Sequence, residues 1–182
     1  MNQSTESETH LVSRAGNGDL GAFRVLVEKH QERAIRIAFR ISGDFHAAED
    51  LAQEGFVKAF WSLSEFDPDK GAFSSWLFVI VRNLSLNFRR KKVPLPMDLE
   101  EEAICESLDP SSTFDSRDRL RILDKAIEEL DEPFRSAFLL AEMEELPLQQ
   151  VAEIEGAALG TIKSRISRAK ATLRSKLQSL QP

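Results

Sequence analysis

The chain has 182 residues, 42% of them hydrophobic, with a formal net charge of −6; that is enough apolar material for one ordinary domain or two small ones. No apolar run approaches the roughly 18 residues of a membrane span, the polar, acid-bearing start MNQSTESETH is neither a signal nor a transit peptide, and a lone Cys105 excludes an internal disulfide framework. His10, His30 and His46 are scattered without ligand spacing, and there is no glycine-rich phosphate loop and no GxSxG, so no metal, other cofactor or catalytic residue is expected and a cytoplasmic protein is.

The periodicity is helical almost throughout, and strand-like alternation is missing. In chain order it predicts helices near 8–15, 20–41, 45–63 and 73–91, with Asp19 and Asp44 as N-caps of the second and third. "VPLPMDLEEEAICESLDPSS" follows, with three prolines, an acid run and little pattern, and reads as a linker. Further helices are predicted near 116–130, 132–145, 148–155 and 161–178, with Pro133 in the first turn of its helix, where a missing N–H costs nothing. The expected fold is all-α: two small helical domains, residues 1–95 and 116–182, joined by a flexible acidic linker at 96–115.

The net charge hides a division. Residues 1–96 carry net +1, residues 97–116 carry −7 and residues 117–182 carry 0. Within the balanced parts, Lys70–Pro96 and Gly160–Pro182 each hold six bases and no acid, and local patches of this kind meet polyanions whatever the overall charge.

On a wheel of about 100° per residue, Ile162, Ile166, Ala169, Leu173 and Leu177 form one stripe of the last helix, and Ser164, Ser167 and Ala171 lie opposite. Lys163, Lys170 and Arg174 flank the small row on one side; Arg165, Arg168 and Thr172 flank it on the other. Small side chains let a helix approach base edges while flanking cations meet phosphates. "PLQQVAEIEG" supplies a preceding short helix burying Leu148, Val151, Ala152 and Ile154, and Gly156 supplies the tight turn, so the pair reads as a helix-turn-helix.

Two N-terminal stretches also stand out. In "AEDLAQEGFVKAFWSL", Asp50, Gln53, Glu54, Val57 and Trp61 share one face, while Phe45, Ala48, Ala52, Phe56, Ala59 and Leu63 share the other. Apolar groups ringed by carboxylates suit a protein-binding stripe, although the pattern alone also fits a Trp61 tucked under a neighbouring loop. In "FSSWLFVIVRNLSLNFRRKK", Phe73, Leu77, Ile80, Leu84 and Phe88 make the core face, and Trp76, Asn83, Asn87 and Arg90 make a second stripe. An aromatic, two amides and a guanidinium offer stacking, edge hydrogen bonds and a phosphate contact to single-stranded bases; a buried Trp76 with solvated polar neighbours is the plainer alternative. The turn-rich "SEFDPDKGA" just before it could cup an extruded base.

"AEDLAQEGFVKAF", "FDPDKGAFSSWLFVIVRN" and "LPLQQVAEIEGAALGTIKSRISRAKATLR", in this order, resemble regions two and four of a bacterial sigma factor, in the short two-domain form of the extracytoplasmic-function group. The resemblance implies that Asp50, Gln53 and Glu54, with Val57 and Trp61 packing beside them, dock on the clamp coiled coil of the RNA polymerase largest subunit. It implies that Lys70, Trp76, Asn83, Asn87 and Arg90 engage the opened minus-ten element. Thr161, Lys163, Ser164, Arg165, Ser167 and Arg168 would read the minus-thirty-five element as duplex, with Ser167 standing where many relatives carry histidine. It further implies contact with the polymerase flap, a linker near the active cleft, control by an anti-sigma factor and no covalent chemistry.

A helix-turn-helix regulator acting without polymerase would explain residues 146–178 equally well but leaves the 48–92 constellation unexplained. A small helical enzyme would need a titratable or metal-binding cluster, and a purely bridging adaptor would not need two acid-free basic segments.

Overall fold

The computed structural model describes residues 7–92 and 114–179, with side chains described for 7–92 and 121–178. Among the described residues eight α-helices run α1 (Glu8–Gly16), α2 (Leu20–Ser42), α3 (Phe45–Trp61), α4 (Phe73–Lys92), α5 (Phe114–Glu128), α6 (Glu132–Phe138), α7 (Leu148–Glu155) and α8 (Leu159–Ser179). There is no strand among the described residues. The predicted linker lies almost wholly outside them.

Local sequence sets most boundaries. Asp19 accepts the Ala22 N–H at 3.1 Å and Asp44 accepts the Ala47 N–H at 2.9 Å, so both predicted caps form; each is worth about 0.5–2 kcal/mol. Lys92 donates to Asp44 at 2.8 Å, tying the end of α4 to the start of α3, and holds that carboxyl below its ordinary range. Pro133 sits at the start of α6 as expected. The single predicted helix over 132–145 instead gives α6 followed by a π-helical turn at Leu139–Met143, and Glu145 leaves it with φ 51°. The predicted extension of α3 to residue 63 is a break at Ser62 followed by a 3₁₀ turn at Leu63–Glu65.

In the N-terminal half α2, α3 and α4 pack on one another, with α1 laid across α2. Phe78, Val81 and Ser85 of α4 are buried as fully as Phe73 and Leu77, and Ile80, Leu84 and Phe88 are partly buried, so α4 is enclosed on more than its predicted apolar stripe. Gly55 explains how closely α3 approaches: a Cβ there would stand 2.6 Å from Val81 Cγ2. Phe45 departs from the predicted inner face of α3: it lies in the first turn, is 71% exposed and makes edge contacts with Phe39 and His46.

In the C-terminal half α8 packs on α6, α5 and α7. Ile162, Ile166, Ala169 and Leu173 of the predicted stripe are buried. Gly156 caps α7 in the left-handed region at φ 59°, a conformation that favours glycine. Leu148 opens α7 at the surface and is 36% exposed rather than buried. The two halves meet where α7 lies on α4, and one apolar cluster runs from Phe78, Val81 and Leu86 to Leu140, Val151 and Ile162.

Two outcomes follow. Gly55→Ala overpacks the α3–α4 contact and is expected to destabilise the chain by about 1–3 kcal/mol in urea unfolding, with Val81→Ala in the same chain cancelling part of that loss; strict additivity of the two changes would contradict the contact. At the N-terminus, Glu8 accepts from His30 Nε2 and Lys29 Nζ at 2.8 Å each. The His30 bond above all, with the Lys29 bond adding to it against the effect of burial, holds the Glu8 carboxyl at about 2 against an ordinary 4.5. A depressed folded value contributes stability that is present above pH 4.5 and lost as pH falls through 2. Glu8→Gln is therefore expected to be less stable than the parent at neutral pH, with the gap closing across that window; a gap independent of pH would refute the clamp.

Candidate nucleic-acid interface

The α3 face forms as the spacing predicts. Asp50, Gln53 and Glu54 are exposed, Val57 is 55% exposed and Trp61 78% exposed. Trp61 is not tucked under a loop; its ring meets that of Phe60 edge-on, at 5.7 Å between centroids, and stays exposed. Glu54 pairs with Lys58 one turn on at 2.8 Å, a surface pair worth little. This side of α3 therefore presents two carboxylates, an amide and two large apolar groups to the outside.

The predicted α4 stripe divides into two places. Trp76 is half-buried and packs on Phe66 and Phe73, with ring centroids 5.4 and 6.0 Å away. It forms a wall of a cavity of ≈ 300 Å³ behind the 66–71 loop, with Phe66, Asp67, Lys70 and Val79. The Trp76 indole is thus a fixed surface inside a pocket rather than an exposed platform, because the loop before α4 folds back over it. Lys70, at the loop tip, is exposed and pairs with Asp67 at 3.1 Å. Asn83, Asn87 and Arg90 are exposed about two to four turns beyond Trp76. They line a second cleft of ≈ 440 Å³ together with Arg82, Glu132, Glu155 and Arg165. Burial pushes the Glu132 carboxyl up, and its Oε1 has no hydrogen-bond partner there.

On α8, Thr161, Lys163, Ser164, Ser167 and Arg168 face outward. Lys170, at the edge of that face, pairs with Glu142 at 2.6 Å. Arg165 departs from the row: it turns inward, and its Nη1 donates to Glu155 Oε2 at 3.2 Å. The same Glu155 carboxylate accepts two bonds from Arg82 of α4, at 2.7 and 3.0 Å, and one from Ser136 of α6 at 2.6 Å. Its side chain is 1% exposed. A residue assigned to duplex reading and the minus-ten candidates Asn83, Asn87 and Arg90 are therefore brought to one cleft.

Arg82, Ser136 and Glu155 are the functional-site neighbours that sequence reasoning missed. A signal existed for the first. Arg82 is a lone cation between Val81 and Asn83, inside the run WLFVIVRNL, where an unpaired charge is costly and calls for a buried acid. Nothing in the spacing of residues 146–156 indicates that α7 covers α4.

Comparison with known proteins matches residues 26–93 to the family model for sigma-70 region 2 and residues 120–173 to that for sigma-70 region 4. The chain is 32% identical to the ECF RNA polymerase sigma-E factor of Escherichia coli K12, over 93% of this chain and 94% of that one. It is 29% identical to the ECF RNA polymerase sigma factor SigW of Bacillus subtilis, over 93% and 96%. Among solved structures it is similar to CnrH in complex with the cytosolic domain of CnrY, with a TM-score of 0.72, 25% identity and 96% and 99% coverage. It is also similar to the sigma factor RpoE in complex with the anti-sigma factor NepR from Bartonella quintana, with a TM-score of 0.63, 27% identity and 87% and 98% coverage. With both regions present in order, the loop pocket and helix-turn-helix formed, and likeness along nearly the full length of such relatives, the chain belongs to the extracytoplasmic-function family of RNA polymerase sigma factors.

Proposed function

We propose that this sigma factor divides its work among three surfaces. Residues 1–95 form the unit that joins polymerase core and opens the minus-ten element, residues 96–115 are the tether, and residues 116–182 form the unit that reads the minus-thirty-five element. The exposed α3 stripe carries the proposal, because a helix-turn-helix regulator working without polymerase has no use for it. Asp50 and Glu54 meet cations of the clamp coiled coil, Gln53 adds a hydrogen bond, and Val57 and Trp61 supply the apolar anchors that dominate interfaces of this kind.

Promoter recognition follows from the other two faces. Thr161, Ser164 and Ser167 let α8 approach base edges, while Lys163 and Arg168, and Arg165 once released, meet phosphates. Unstacking a minus-ten base costs a few kcal/mol per step. A base held in the loop pocket against Trp76 recovers about 1–3 kcal/mol, with Lys70, Asn83, Asn87 and Arg90 on the strand beyond. Every one of these roles is binding, so the protein itself does no covalent chemistry and acts in the cytoplasm with the polymerase. The likeness to sigma factors solved with bound partners, one of them a named anti-sigma factor, supports control by an anti-sigma protein.

Reconstituting core enzyme with this chain is expected to give promoter-dependent run-off transcripts. Asp50→Lys with Glu54→Lys is expected to weaken core binding by about 100-fold, the two reversals together being worth about 3 kcal/mol, while leaving the melting temperature within a degree or two. Core affinity unchanged by the double reversal would place the docking face elsewhere.

A further inference from the structure

We propose that Glu8 and His30 are positioning residues for strand opening: the bond between them aims a row of aromatic rings that ends in the walls of the loop pocket. This rests on the reading of that pocket as the place where a minus-ten base is held, and it adds what sets the pocket's shape.

His30 lies in α2 and is 8% exposed. An apolar side chain would fill such a place at less cost in lost hydration, and α1 is already held by the buried Leu11, Val12 and Ala15. The imidazole therefore needs a reason beyond burial, and its surroundings supply one. Its Nε2 lies 2.8 Å from the Glu8 carboxylate. An ionised carboxylate only accepts, so Nε2 carries the proton and the ring is turned toward α1. Rotation about the last bond of a histidine side chain is otherwise soft.

The ring so fixed packs on two residues of α4, with centroids 5.8 Å from Phe73 and 6.1 Å from Phe78. Phe73 is 2% exposed and stands between His30 and the pocket. On its other side its centroid is 5.9 Å from Phe66 and 6.0 Å from Trp76, which are 5.4 Å from each other. Phe66 and Trp76 both line the pocket. A second route joins the same places: α1 packs on the Leu63–Glu65 turn, and the Leu63 carbonyl accepts the Phe66 N–H at 3.2 Å. Glu8 thus reaches the pocket through one ring of α2 and through the floor of the loop, while neither Glu8 nor His30 lines it. Stacking on a base depends on where a ring stands and how it leans, so a wall that has drifted captures less well.

The test uses full chains carrying Glu8→Ala, His30→Leu or both, joined to core, on a promoter that the parent holoenzyme transcribes. Each single change is expected to lower the yield of open complex at saturating holoenzyme about 10-fold, the size of one lost aromatic or hydrogen-bonded contact. The double change is expected to lower it no further, and core affinity is expected to stay within about two-fold. Lys29→Ala removes the exposed cation from the same carboxylate and is expected to leave opening within about two-fold. An abasic site at the captured minus-ten position is expected to impair the parent and to add little to the variants. In free chains with Trp61→Phe, where Trp76 is the remaining indole, Glu8→Ala is expected to raise acrylamide quenching well below the unfolding temperature. Unchanged opening by folded Glu8→Ala, an equal loss from Lys29→Ala, or unmoved Trp76 quenching would each overturn the proposal. Should no abasic position impair the parent, the base-capture reading would fail by itself, and Trp76 quenching would still decide whether Glu8 sets the wall.

Discussion

The carboxylate of Glu155 sits where three parts of the chain meet. Arg82 comes from the N-terminal unit, Ser136 from α6 of the C-terminal bundle, and Arg165 from the helix proposed to face DNA. A charge taken so far out of water persists only with several donors around it, and this one accepts four hydrogen bonds. The seating of α7 on α4 depends on this arrangement, and with it the surface each unit shows to its partners. Remove the acid and two guanidiniums on facing helices would repel across a shared cleft.

The overall charge conceals this logic. The chain is acidic in sum, yet its acid-free segments are the ones assigned to nucleic acid, and acids from elsewhere pair with several of their cations: Asp67 with Lys70, Asp44 with Lys92, Glu142 with Lys170 and Glu155 with Arg82 and Arg165. A polyanion and Glu155 would compete for Arg165. By contrast the carboxylates of α3 face outward beside Val57 and Trp61, away from the basic helices. The face proposed for core polymerase thus stays available while the faces proposed for DNA are partly covered. That order suits a factor that engages the enzyme first and the promoter afterwards.

Local signals carried far in the sequence. Asp19 and Asp44 could be read as caps because a short acceptor before a periodic run satisfies otherwise unpaired N–H groups. Gly156 could be read as a stop, and the buried stripe of α8 followed from spacing alone. Wheel positions also placed Asp50 through Trp61 on an outer face correctly. What spacing does not encode is which element lands on a given face. Phe45 and Leu148 are apolar and read as inward-facing, but each lies in a first turn at the surface. Trp76 became the wall of a pocket because a loop returned over it, and Arg165 left its row because Glu155 met it from another helix. The family match names the units but not how they rest on each other.

The central claim is that the exposed α3 stripe from Asp50 to Trp61 joins this chain to core polymerase. Site-specific photo-cross-linking from position 57, where Val57 is 55% exposed, tests it most directly. The account predicts one adduct between this chain and the largest subunit once core enzyme is added. No adduct with the largest subunit, from a chain that core still binds, would contradict it.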